Sequence, residues 1–371
     1  MNKIQLVYRC IFKDRHNFNI QQLEKIKQDN IFIYEILPYV ARSFALSIVV
    51  LPDQLSIPAA LGYCYCRILD TFEDMLVDPV MRQSALQTTR YMLKKIIDGN
   101  NYNNELDNIC YYESELVKTK KKDEAYCLLV REIYRINRVF SKQDSAVKKM
   151  IYILVKKMSK GMIKNTGDYK ENNNNITDKK IRQYCKSVLG YPLLYVCQLI
   201  QWYNGNPYYL HVKHKKEIIY FSQFIQLANI TRDIEEDLLN NVVYHNLLLC
   251  YKNKENRKNL EDPILKMKIS NARRELMLKA ITALNKSNFS ILVNQYFFGS
   301  YGIRLAVLIF LGFSEIFYCN LYHKHYGKHD KCSTYGMIMW YILCSLCHAM
   351  TDRAVKHSIE NLNNLVELLT R

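Results

Sequence analysis

Glycine and proline are scarce in this chain, 11 and 7 among 371 residues, and tryptophan occurs twice. With so few turn-formers, and with most apolar runs longer than a strand needs, helix is the economical reading throughout, and the chain is expected to be all-α. The opening MNKIQLVYRCIF lacks the basic-then-apolar plan of a signal peptide. No apolar run reaches the roughly 20 residues of a membrane span. Residues 305–314 and 335–350 both fall short and read as core helices. RRM, zinc-finger and other recognition signatures are missing too, so nucleic acid is not expected as a partner. Acidic residues are in deficit: 52 Lys and Arg face 35 Asp and Glu, for a formal charge of +17. The excess lies largely in Lys/Asn-rich text such as VKTKKKDEAY and YKNKENRKN, which reads as solvated surface.

What is present is apolar length. Hydrophobic residues make up 49% of the chain, enough for a large core and a cavity. The 12 cysteines lie mostly inside apolar segments, as expected of a chain from a reducing, intracellular compartment, cytoplasmic or peripheral on a cytoplasmic membrane face. Cys344, Cys347 and His348 spell a haem-attachment pattern, but they sit within YGMIMWYILCSLCHAM and read as buried core. Residues 1–30 read as a polar leader and 31–371 as a single all-α domain, interrupted by a polar loop at 164–180, KNTGDYKENNNNITDKK.

The chemistry is concentrated in a pattern written twice. Asp-x-x-Glu-Asp appears as Asp70, Glu73 and Asp74, and again as Asp233, Glu236 and Asp237. Positions i, i+3 and i+4 share one helix face, so each copy makes a compact carboxylate patch. Such a patch is costly unless cations occupy it, and hard oxygen donors suit Mg²⁺, which bridges carboxylates to substrate phosphates. Both copies follow apolar helical text, GYCYCRIL and FSQFIQLANI. Two facing patches at the mouth of a greasy cavity would suit prenyl diphosphates: metal for the leaving diphosphate, and a dry aromatic pocket for the allylic cation. Asn229 can extend the second metal face by one turn, and Arg232 can meet diphosphate oxygens as a fork.

In order and spacing, ARSFALSIVVLP, YCYCRILDTFED, KGM followed by YCKSVLG, and NITRDIEED resemble the squalene/phytoene synthases, which join two prenyl diphosphates head to head. The resemblance covers residues 39–246 well and the last third faintly; DTFED is closer to squalene synthases, whereas RDIEEDLLNNVVY is also similar to bacterial carotenoid-type members. It implies an isoprenoid-synthase-type helical bundle around one central cavity. By position it gives metal-ligand roles to Asp70, Glu73, Asp74, Asn229, Asp233, Glu236 and Asp237, and diphosphate contacts to Arg42, Ser43, Arg67 and Arg232. Tyr63 and Tyr184 match active-site tyrosines, the latter assisting proton removal or steering the cation. Two departures stand out: bulk from Val188 to Leu193 where the family writes small residues, and the lack of a proline near Gly302.

The resemblance implies condensation of two farnesyl diphosphates, through presqualene diphosphate, to squalene, with Mg²⁺ and NADPH as cofactors. HKHYGKHDKCS and TDRAVKHS are only weakly similar to segments near the reductant site, so no residue is assigned to NADPH. Phytoene or dehydrosqualene synthesis, without reductant, is the enzymatic alternative, and a non-catalytic relative acting in assembly or binding is the alternative of another class. A class I terpene cyclase is disfavoured because NITRDIEED lacks that group's second metal motif. Oily products and a basic surface together suggest a peripheral contact with an anionic membrane.

Overall fold

The computed structural model describes residues 3–12, 19–41, 43–166, 176–252, 260–287, 301–309 and 311–312, with three positions near the end, 360, 361 and 364. Among these residues there is no strand, and the all-α expectation holds. In chain order the helices are α1 (Lys3–Phe12), α2 (Ile20–Glu24), α3 (Asp29–Val40), α4 (Ser43–Val49), α5 (Asp53–Met75), α6 (Pro79–Ile97) and α7 (Asn103–Ser114). There follow α8 (Asp123–Arg131), α9 (Ile133–Ser141), α10 (Ser145–Thr166), α11 (Asp178–Cys185), α12 (Tyr191–Tyr203), α13 (Val212–Leu239) and α14 (Pro263–Lys286). Arg42, the haem-like cysteines, the 335–350 run, both weakly matched basic segments and most of the 164–180 loop lie outside the described residues. Among the described residues no helix is long and apolar enough to cross a membrane.

The chain divides into two compact units. One takes Met1–Ile163, Tyr195–Tyr209 and Gly299–Phe310, the other Lys164–Leu194, Leu210–Phe298 and Leu311–Arg371. The stretch set apart by sequence as a polar leader carries α1 and α2. Leu6 of α1 is buried, Arg9 pairs with the buried Glu35 of α3, and Lys3 Nζ donates to the Leu51 carbonyl at 2.6 Å. These anchors are what a leader assignment overlooks.

In the first unit α5 is the core helix. Leu55, Leu61, Cys64, Tyr65, Ile68, Leu69 and Phe72 are fully buried along it. A buried phenol still needs a partner. Tyr65 donates to Asn137 Oδ1 of α9 at 2.8 Å, Asn137 Nδ2 donates to Met92 Sδ of α6 at 3.2 Å, and the Phe140 ring meets Tyr65 edge-on at 5.6 Å. Tyr195 of α12 lies flat against α5 because Gly62 has no side chain, and its hydroxyl donates to the Pro58 carbonyl at 2.7 Å. The helix over residues 301–309 also belongs to this unit: a Cβ on Gly302 would stand 2.7 Å from the Val50 carbonyl oxygen.

In the second unit α14 packs along α13, with Arg273 pairing with Glu235 and donating from Nε to the Thr231 carbonyl at 3.3 Å. Asp178 of α11 meets Lys279 of α14 at 2.8 Å. Between α11 and α12 the helix widens into a π segment, Lys186–Gly190, and its Gly190 lets Ser222 of α13 approach: a Cβ there would sit 3.1 Å from Ser222 Oγ. Single π turns of this kind recur beside functional residues.

An added methyl at Gly62 would come 2.4 Å from Tyr195 Cε1, a ring held by its own hydrogen bond. Gly62→Ala is therefore expected to cost about 1–3 kcal/mol by overpacking, read as a lower midpoint in denaturant unfolding. An unchanged midpoint would show that Tyr195 is free to move aside.

Candidate active site

The end of α5 presents Tyr63, Arg67, Asp70 and Asp74 at helical spacing on one face. Tyr63 donates its hydroxyl proton to the Val40 carbonyl at 3.1 Å and accepts from Arg67 Nη2 at 2.8 Å. The Arg67 guanidinium lies 5.1 Å from the Tyr126 ring centroid and 5.7 Å from that of Tyr63, and Nη1 reaches Asp70 Oδ2 at 3.3 Å. Its Nε is buried and, among the described residues, has no hydrogen-bond partner. A guanidinium gripped on two sides with a donor left over is suited to an incoming anionic oxygen.

Burial pushes the Asp70 carboxyl up to about 6; Arg67 pulls against that shift and the Asp74 charge adds to it. Glu73 is nearly buried, whereas Asp74 is exposed. Burial likewise raises Tyr63, with Arg67 opposing. These are three hard oxygen donors, one of them poorly solvated and crowded by a like charge. Among the described residues, no group of three or more His, Cys, Asp or Glu side chains is drawn together that could hold a metal ion.

The second motif occupies the last three turns of α13. Arg232 grips Asp233 as a fork, Nε to Oδ1 and Nη2 to Oδ2, both at 2.6 Å, and this contact raises the arginine further above its ordinary range. Asn229 donates to Gln226 Oε1 at 3.4 Å, with Glu236 exposed and Asp237 half-buried. Glu235, inside the same text, is the structural member, held by Arg273. Each motif thus pairs its first aspartate with an arginine of its own helix, Arg67 with Asp70 and Arg232 with Asp233.

How α13 ends decides what stands beside it. Asn241 adopts a left-handed φ of 61°, Val242 N–H donates back to the Asp237 carbonyl at 2.8 Å, and Asn241 N–H donates to that of Leu238 at 3.1 Å. This is the Schellman arrangement, with asparagine in the position glycine usually takes. The reversed chain brings Tyr244 to Tyr184: the Tyr244 hydroxyl donates to the Tyr184 oxygen at 2.8 Å, with ring centroids 5.0 Å apart. The turn continues into a 3₁₀ segment, Asn246–Tyr251, whose first side chain clamps both backbone groups of Ile176, and His245 meets Glu275 at 3.0 Å. Sequence reasoning singled out Tyr184 and passed over Tyr244; the available signal was the phenol of NNVVY following a left-handed-tolerant asparagine. Ser43 opens α4, and Arg42 lies outside the described residues.

Because the folded state holds the Asp70 proton more tightly than the unfolded chain does, stability should fall as pH rises from about 4 to 6 and then level off. In chelator at pH 7.5, Asp70→Asn is expected to raise unfolding stability by about 1–2 kcal/mol, net of the lost Arg67 contact, and to remove that slope. A variant less stable than the parent at that pH would show that the Arg67 pairing outweighs burial.

A model of the squalene/phytoene synthase family matches residues 37–245. Squalene synthase BSS of Botryococcus braunii is 27% identical over 232 residues, which is 62% of this chain and 45% of that protein. A probable squalene synthase of Neurospora crassa is 28% identical over 210 residues, 54% of this chain and 38% of that protein. The chain thus spans less than half the length of the relatives it matches. A solved ligand complex of TcSQS shares the fold, with a TM-score of 0.56 at 17% identity over 92% of this chain and 99% of the other. With the family match covering more than half of the sequence and both carboxylate motifs inside it, this chain belongs to the squalene/phytoene synthase family.

Proposed function

We propose that this protein is a prenyl-transferring synthase that condenses two farnesyl diphosphates head to head, through presqualene diphosphate, to squalene. The observation that carries the reading is the repeated pairing of an arginine with the first aspartate of each Asp-x-x-Glu-Asp motif, Arg67 with Asp70 and Arg232 with Asp233. A motif of that make-up offers both halves of a diphosphate site, carboxylates for metal and a fork for phosphate oxygens.

Asp70, Glu73 and Asp74 on one helix, and Asn229, Asp233, Glu236 and Asp237 on the other, would hold Mg²⁺, which when bound neutralises diphosphate and helps it leave. The remaining work falls to the chain. Arg67, fixed by Tyr63 and set beside two aromatic rings, would turn the exposed part of its guanidinium toward a diphosphate oxygen. Arg232 can exchange its carboxylate partner for phosphate, since a guanidinium fork accepts either. Half-buried Tyr63 and buried Tyr126 would add aromatic surface beside an allylic cation. Tyr184, whose oxygen accepts from Tyr244, would assist proton transfer or steer the cation. The second half-reaction would draw hydride from NADPH.

The carotenoid-type reading, phytoene or dehydrosqualene without reductant, is favoured by one feature, the tyrosine in NNVVY that reaches Tyr184. Product analysis separates the two. Purified protein with Mg²⁺ and farnesyl diphosphate is expected to give squalene with NADPH, identified by gas chromatography with mass spectrometry. Dehydrosqualene regardless of NADPH, or phytoene from geranylgeranyl diphosphate, would move the protein to the carotenoid branch; no product from either substrate would favour the non-catalytic relative.

Asp70→Asn and Asp233→Asn are each expected to lower turnover at least 100-fold with the fold intact by circular dichroism, a loss of about 2.7 kcal/mol or more in transition-state stabilisation. Tyr244→Phe removes the donor to Tyr184. It is expected to leave KM within about twofold while lowering kcat about tenfold or shifting the product ratio, as one lost hydrogen bond of about 1–1.5 kcal/mol would. Unaltered kcat and products in that variant would show that the tyrosine pair is structural.

A further inference from the structure

Neither the carboxylate motifs nor the tyrosine pair accounts for the buried histidine that follows Tyr244. His245 is extended, with φ −141° and ψ 136°, and successive side chains of extended backbone point to opposite sides. Tyr244 therefore reaches α11, where its hydroxyl meets Tyr184, while His245 reaches α14, where Nε2 lies 3.0 Å from Glu275 Oε2. The other ring nitrogen has a different duty: Nδ1 accepts from the Leu247 N–H at 3.3 Å and caps the 3₁₀ segment Asn246–Tyr251. A nitrogen that accepts carries no proton, so these partners assign the neutral ring with its hydrogen on Nε2, donated to Glu275.

The cap reaches beyond its own turn. Asn246, the next residue, takes the Ile176 N–H on Oδ1 at 2.7 Å and donates from Nδ2 to the Ile176 carbonyl at 3.2 Å. Ile176 is buried and stands directly before Thr177, whose hydroxyl caps α11 at the Lys180 N–H. That helix carries Tyr184. The two tyrosines are thus tied through the chain as well as through their hydroxyls, and His245 fastens the tie to α14. Charges face the ring from both packed helices: Glu275 and Lys279 of α14, and Asp178 at the start of α11, which pairs with Lys279 and lies near Arg182. Burial, the largest influence, holds the imidazole below its ordinary range, with Glu275 pulling the other way.

We propose that His245, as a neutral Nε2–H imidazole, is the positioning residue of the Tyr184–Tyr244 pair. Protonation puts a hydrogen on Nδ1, where the Leu247 N–H already points, so the charged ring cannot keep the cap. The turn from Tyr244 to Tyr251 then loosens, Asn246 loses its hold on Ile176, and the Tyr244 hydroxyl no longer stands where it meets Tyr184. Since the unfolded ring binds a proton more readily than the folded one, protection of this turn is expected to fall as pH drops below about 6.5. An effect on turnover rests on the synthase reading above; the positioning itself does not, because it is read without substrate.

The test is hydrogen exchange of the full chain, followed by mass spectrometry in peptides covering 244–251 and 176–184, with each rate taken relative to the free chain at the same pH. In His245→Ala near neutrality both peptides are expected to exchange about tenfold faster, with those of α5 unchanged. His245→Asn returns an acceptor for the Leu247 N–H, and is expected to recover most of the protection and to lose its pH dependence. Glu275→Gln keeps an acceptor for Nε2–H and removes the charge that favours protonation; it is expected to match wild type near neutrality and to lose more protection in acid. With Mg²⁺ and farnesyl diphosphate, His245→Ala is expected to lower kcat about tenfold with KM within about twofold, and to add nothing further on a Tyr244→Phe background. Should His245→Ala melt early, the pH dependence of wild type against His245→Asn carries the comparison. Unaltered exchange in a folded His245→Ala, wild-type protection independent of pH, or a kcat loss that multiplies that of Tyr244→Phe overturns the proposal. If wild type makes no prenyl product the synthase reading fails, and the exchange comparison alone decides whether His245 positions the pair.

Discussion

A half-buried guanidinium sets the terms for the C-terminal end of α5. Arg67 is half-buried, and its charge is held by the Tyr63 hydroxyl, the Asp70 carboxylate and the faces of two tyrosine rings. Each of those partners is constrained in turn. Tyr63 needs the Val40 carbonyl, and Asp70 must tolerate both burial and the Asp74 charge. An interior arranged for stability alone would use an apolar residue at this position, because replacing a buried pair with well-packed hydrophobic groups is often neutral or favourable. The proposed diphosphate site would use such a charge set, placed at the end of a helix whose buried face is largely apolar.

The helical class and both carboxylate faces could be read from sequence because their determinants are local. A spacing of i, i+3 and i+4 decides a shared face with no knowledge of the rest of the fold, and apolar text before each motif decides that the helix beneath it is buried. The separation of roles within RDIEED could not be read in this way. Glu235 and Glu236 look alike in sequence, and what distinguishes them is Arg273 of α14, a partner 38 positions away. Tyr244 was hidden for a related reason: its meeting with Tyr184 depends on one left-handed asparagine reversing the chain. The N-terminal helices were obscured by weakness of signal, since three side chains, Lys3, Leu6 and Arg9, supply the anchoring described for α1.

Similarity to known synthases and the side-chain geometry support different parts of the account. Family membership rests on ordered motifs spread over residues 37–245, whereas the fold likeness extends over 92% of the chain at an identity too low to speak for chemistry. The arginine–aspartate pairs belong to this chain's own geometry. They connect the two, because they lie within the matched region and give its carboxylates a guanidinium counter-ion.

The interleaving of the two units along the chain has a consequence for synthesis. The first unit takes its residues from three separate stretches, the last of them Gly299–Phe310. Tyr195 must arrive before the surface at Gly62 is covered, and Gly302 before the Val50 turn is covered. A ribosome delivers residues in order, and domains commonly fold as they emerge. Here the first unit stays open until most of the chain has left the tunnel, its apolar surface exposed for the seconds that translation of the intervening residues takes. Nor can any single cut release that unit as one continuous segment, so shortening the chain from its far side would remove part of the core laid down at its beginning.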